Sequence, residues 1–153
     1  YHVYNQILLE NNALDFGDLI QYTLKLFLER PRVLKMYQKK FHSILVDEFQ
    51  DTNWAQYELI KLLSNPKNNL TVSADDDQSI YKFRGASVSN VLTFKKDFSD
   101  SKEVFLQENY RSTQPILDLS YEFITQNNPN RLEYVLKDSA ILPARTLNLS
   151  NDN

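Results

Sequence analysis

Asp47 and Glu48 stand side by side directly after the apolar run Ile44-Leu45-Val46, and the stretch continues Phe49-Gln50-Asp51-Thr52-Asn53. Three consecutive branched apolar residues read as a strand buried on both faces, as in parallel α/β sheets, where ligands sit at the carboxyl ends of the strands. Neighbouring side chains on a strand point to opposite sides. Asp47 can therefore face a magnesium ion while Glu48 leans toward a terminal phosphate and its attacking water. The competing reading is an ordinary strand followed by a helix whose acidic residues favour its positive N-terminal end.

Two further clusters follow in order: Asp75-Asp76-Asp77-Gln78-Ser79-Ile80-Tyr81-Lys82-Phe83-Arg84-Gly85-Ala86, then Gln107-Glu108-Asn109-Tyr110-Arg111-Ser112. Together with the first stretch they resemble the Walker B, third and fourth motifs of the UvrD/Rep family of superfamily-one DNA helicases. The likeness extends upstream to Ala13-Leu14-Asp15-Phe16-Gly17-Asp18-Leu19 and downstream to Asn128-Pro129-Asn130-Arg131, covering residues 13–131. It implies an α/β fold, a truncated RecA-like P-loop NTPase parallel sheet with flanking helices. Residues 1–40 would be a helical segment joining an accessory subdomain to the first RecA-like domain, 41–106 the C-terminal part of that domain, and 107–153 the start of the second.

The resemblance also implies the chemistry: ATP and Mg2+ as cofactors, with hydrolysis coupled to translocation on single-stranded DNA and duplex unwinding in repair or replication. Asp47 would help hold the metal, Glu48 would act as general base or orient the water, and Gln78 would sense the terminal phosphate. Arg111 would be an arginine finger, because a guanidinium donates in a fork to phosphate oxygens, and Tyr110 would stack on adenine. The alternatives are a turn residue at Gln78, a surface arginine at 111 and a core tyrosine at 110. Gln50 matches a family position linked to the same network, but the sequence offers no physical account of a separate role for it.

Tyr81 and Phe83 are two apart, so in an extended segment they share a face, and Lys82 and Arg84 share the other. Bases could stack on the aromatic face, a sequence-tolerant contact suited to a motor on single strands. Packing into the core beside Ile80 is the rival. DNA, single-stranded and duplex, is the expected partner together with the remainder of a helicase chain. The helicase subunit of a helicase-nuclease and a catalytically inert module retaining the fold are the other readings.

Three departures from the family pattern stand out. Ala74 replaces a usual glycine, and its Cβ would resist a positive φ. Gly17 replaces an acid, and Phe83 replaces a frequent tryptophan. A phosphate-cradling loop needs several glycines followed by Lys-Ser/Thr; the chain has only Gly17 and Gly85. The expectation is that these residues alone do not hydrolyse ATP. A chain beginning with Tyr1 also suggests a piece of something longer.

The 153 residues are 42% apolar and 24% charged, ordinary for a soluble globular domain. Cysteine is absent and His2 and His42 lie far apart, which excludes disulfides and disfavours a zinc site. No apolar run is long enough to span a bilayer, so no membrane partner is expected, and a cytoplasmic location is the expectation. The net charge of −3 argues against a coat for duplex DNA. Between residues 43 and 100 nine acids face six bases, with the acids gathered at the two motif turns.

The elements that must position these groups follow from periodicity. Helices are expected over about 2–11, 15–29 with Pro31 as the stop, and 32–40. A strand at 44–48 then leads to a helix over 54–63 capped by Asn53, with Leu59, Ile60, Leu62 and Leu63 inward. Leu70-Thr71-Val72-Ser73 reads as the next strand, followed by a helix from Ser87 or Ser89 to Phe98. Val104-Phe105-Leu106 reads as a third strand, and Ser112 or Thr113 caps a helix over 115–126. Met36, Tyr37 and Phe41 read as core, and Leu147-Asn148-Leu149 at best as a short strand.

Overall fold

A computed structural model describes residues 1–79, 89–128, 131 and 145–146. The chain divides into two compact units, Tyr1–Ser99 and Asp100–Asn153. It is a mixed α/β protein with short parallel strand pairs and flanking helices.

The first unit opens with α1 (His2–Glu10) and α2 (Phe16–Glu29). Asp15 caps α2 through a reciprocal box: its carboxylate accepts from the Asp18 amide at 2.8 Å, and the Asp18 carboxylate accepts from the Asp15 amide at 3.2 Å. Pro31 ends that helix and also begins α3 (Pro31–Lys40), where its fixed φ suits the first turn. β1 (Ile44–Val46) then runs parallel to β2 (Leu70–Val72), with Ile44 opposite Leu70 and Val46 opposite Val72. Between them lies α4 (Trp54–Ser64), capped as the sequence suggests by Asn53, which forms a second reciprocal box with Gln56. α5 (Ser89–Asp97) closes the unit.

The buried apolar side chains among the described residues are Phe27, Phe49 and Tyr57. Phe49 meets the rings of Tyr57 and Phe94 edge-on at 5.4 and 5.6 Å, which joins the turn after β1 to α4 and α5. Tyr57 also donates its hydroxyl to Asp97 at 2.9 Å, and Lys61 reaches the same oxygen at 3.2 Å.

Several expected core positions lie elsewhere. Met36 is 57% exposed, Phe41 is exposed as well, and Tyr37 alone of that trio packs inward, against Phe27. Phe16, in the first turn of α2, is 89% exposed although it lies on the same helix face as buried Phe27. The four apolar residues expected to face inward from α4 are half-buried.

In the second unit, β3 (Glu108–Asn109) pairs in parallel with β4 (Arg145–Thr146), and α6 (Gln114–Ile124) lies between them in sequence. Val104-Phe105-Leu106 is not a strand. Leu106 is 90% exposed, and strand propensity without a neighbouring strand to pair with does not make a ladder. Thr113 occupies the N-cap of α6 but its side chain makes no capping bond. The segment 147–149 lies outside the described residues, as does Ser87.

Candidate nucleotide site

The hydrogen-bonded ladder between β1 and β2 continues past both strands: the Ser73 amide donates to the Val46 carbonyl at 2.9 Å, and the Phe49 amide donates to the Ser73 carbonyl at 2.9 Å. This brings the two motif turns together at the carboxyl ends of a parallel pair, where ligands of such sheets bind. Asp47 is exposed there and accepts a hydrogen bond from the Ser73 hydroxyl.

Glu48 ends the strand early. Its backbone is left-handed, with φ 53° and ψ 42°, a conformation that costs a side-chain-bearing residue roughly 1–2 kcal/mol. Ala74, expected to resist a positive φ, is not among the residues that adopt one; of the three described residues that do, Asn12, Glu48 and Asn68, Glu48 lies in the motif turns. A single 3₁₀ turn, Phe49–Asp51, follows and folds the chain back over the strand end.

Gln50, linked by the resemblance to the same network but without a separate role in the sequence, is fully buried inside that turn. Its Nε2 donates to Glu48 Oε2 at 2.6 Å, and its Oε1 accepts from the Asp75 amide at 3.0 Å. A carboxylate can only accept and a backbone amide can only donate, so the network fixes which way the side-chain amide points. Asp75 in turn accepts from the Asp77 amide at 3.1 Å and from Gln78 Nε2. Glu48, Gln50, Asp75 and Gln78 thus form one continuous hydrogen-bonded chain across the ends of two strands. Asp47 and Gln78 are both exposed, neither sealed in hydrocarbon.

The turn is braced from behind. Thr52 donates to the Phe49 carbonyl at 2.7 Å, and buried Asn90 of α5 donates to the Thr52 carbonyl at 2.9 Å. Among the described residues no group of three or more His, Asp or Glu gathers as a metal cage. A cavity of about 240 Å3 lies at the opposite, amino ends of β1 and β2, between Lys35, Lys39, Phe41, His42 and Lys67. It holds none of the motif carboxylates.

In the second unit Asn109 organises the third cluster: its side-chain oxygen accepts from the amides of Arg111 at 2.9 Å and Ser112 at 2.8 Å. The Arg111 side chain is exposed and makes no ion pair among the described residues. Tyr110 is also exposed; its hydroxyl donates to Glu108 at 2.5 Å, and that bond raises its pKa above the usual tyrosine value. Among the described residues Tyr110 is thus at the surface rather than packed in a core. Tyr81 and Phe83 lie outside the described residues, as do Lys82 and Arg84.

Residues 1–99 match the family described as the UvrD/REP helicase N-terminal domain. Over 131 residues the chain is 50% identical to ATP-dependent DNA helicases PcrA of Staphylococcus epidermidis and Staphylococcus aureus. That alignment covers 86% of this chain and 18% of each relative, so the chain spans about a fifth of their length.

Proposed function

The chain belongs to the UvrD/REP helicase family, and on that premise we propose that it is part of an ATP-dependent DNA helicase that moves along single-stranded DNA and unwinds duplex during repair or replication. On this reading β1 and β2 belong to a RecA-like sheet, residues 41–106 complete the first such domain, and residues 107–153 begin the second. Residues 1–40 join an accessory subdomain to the first. The observation that carries the proposal is the hydrogen-bonded chain from Glu48 through Gln50 and Asp75 to Gln78, with Asp47 beside it at the strand ends.

The donor set suits Mg2+, which is commonly held by one or two carboxylates with substrate phosphates and waters rather than by an all-protein cage. Asp47 would hold the ion, and its hydrogen bond from Ser73 orients the carboxylate. When bound, Mg2+ would neutralise charge on the phosphate oxygens. Gln50 occupies Oε2 of Glu48, which leaves Oε1 for the attacking water and its proton. Gln78, exposed at the neighbouring turn, would exchange its bond to Asp75 for the terminal phosphate. Arg111 would donate its fork to the same phosphate in the transition state, Tyr110 would stack on the base, and Tyr81 and Phe83 would stack on single-stranded DNA.

The test is single-stranded-DNA-stimulated ATP hydrolysis by the full-length protein. Glu48→Gln is expected to lower turnover by about 10²- to 10⁴-fold while ATP binding persists. Parent-like turnover in that variant would overturn the reading. The 153 residues alone, without a glycine-rich Lys-Ser/Thr loop, are expected to show no turnover.

A further inference from the structure

We propose that Gln50 is a positioning residue that sets the Glu48 carboxylate for hydrolysis and locks it to the turn carrying Gln78. This deepens the function proposed above and rests on it. Three observations converge. Gln50 has no exposed surface, so its two hydrogen bonds do not compete with water. Its amide can both donate to a carboxylate and accept from a backbone amide without carrying charge, and here it does both. The left-handed backbone at Glu48 turns its side chain back over the following turn, where a residue two positions on meets it.

The physical consequence is that Glu48 has a defined carboxylate orientation before any substrate arrives. Oε2 is held by Gln50, and Oε1 is the oxygen without a donor among the described residues. Through Asp75 the same side chain fixes the turn whose carboxylate holds the Gln78 amide. One buried amide therefore keeps the water-activating group and the phosphate-sensing group in register, although they come from separate strands. Positioning of this kind matters because a reacting group displaced by about 1 Å can cost on the order of 10²-fold in rate.

The substitution Gln50→Met keeps the length and shape of the side chain but removes both the donor to Glu48 and the acceptor for the Asp75 amide. In the full-length protein, with ATP, Mg2+ and oligo(dT) in single-turnover experiments, hydrolysis is expected to fall by about 10- to 100-fold. The stoichiometry and affinity of ATP binding stay at the parent value. A loss of active fraction would lower the stoichiometry instead, so this split separates positioning from damaged folding. Gln50→Ala, which also lacks both polar groups, is the second variant if the first does not fold.

A double-mutant cycle with Glu48→Gln completes the test. If Gln50 acts by placing Glu48, then once Glu48 is gone the change at position 50 adds less than about twofold, because residues acting as a unit are non-additive. Gln50 variants that hydrolyse within about twofold of the parent, or whose losses multiply with that of Glu48→Gln, overturn the inference and leave the helicase reading standing. Parent-like hydrolysis by Glu48→Gln alone overturns both.

Discussion

The carboxylate of Asp47 is held by a hydroxyl from the other strand, and this contact has a measurable consequence. Partners that orient a metal-binding carboxylate are typically worth about 10- to 100-fold in metal affinity. Ser73→Ala removes the hydroxyl and leaves the ladder intact, since Ser73 joins it through backbone groups alone. If Asp47 holds Mg2+, as proposed, the Mg2+ concentration for half-maximal ATP hydrolysis by the full-length protein is expected to rise by about tenfold, with the maximal rate near that of the parent. An unchanged Mg2+ titration would show that Ser73 does not orient the metal ligand. At this scale the places of Asp47 and Glu48 at a strand end were legible from the apolar run before them, and Gln78 was singled out by the family resemblance. Ser73 was not, and of Gln50 only its link to the network was. The role of Gln50 depends on a positive φ at Glu48 and that of Ser73 on the register of β1 against β2, and no residue type signals either.

At the level of elements, α4 and α5 are joined by a small polar cluster whose charge state sets a pH dependence. Tyr57 donates to Asp97, and Lys61 bridges Asp97 and Glu58 at 3.2 and 2.7 Å. The Tyr57 hydroxyl, then Lys61, hold Asp97 below the usual carboxylate pKa, while burial and then Asp97 push Tyr57 up. A carboxylate with a depressed folded pKa contributes stability that is present above its unfolded value and lost as pH falls through its folded value. Asp97→Asn should therefore lower the unfolding temperature near neutrality and flatten its further decline between about pH 5 and about pH 3. Thermal unfolding of parent and variant across that range checks it, and parallel curves would remove Asp97 from the account. Helix positions were well read from the sequence, because Asp15, Pro31 and Asn53 are local signals that caps and stops obey. The expected strand at Val104–Leu106 failed because a strand is a relation between two segments, and apolar type alone does not supply the partner. The strand at 44–48 ends at Val46 for a different reason, the left-handed turn at Glu48.

For the whole molecule, composition and burial disagree in an instructive way. An apolar content of 42% suits a packed domain, yet among the described residues only three apolar side chains are buried. Leu45 is 75% exposed in the middle of β1, although strands of parallel sheets are usually covered on both faces. If β1 belongs to a larger RecA-like sheet, as proposed, Leu45 is covered in the full-length protein and bare in these 153 residues. The same substitution should then have two different costs. Leu45→Ala in the full-length protein is expected to lower stability by about 2–5 kcal/mol, the range for a buried leucine that leaves a cavity. In the isolated chain it should change stability by less than about 0.5 kcal/mol, as for other surface positions. Urea denaturation of the four proteins measures both numbers. Equal small costs in the two contexts would mean that nothing covers this face of β1, and the proposed larger sheet would have to be abandoned.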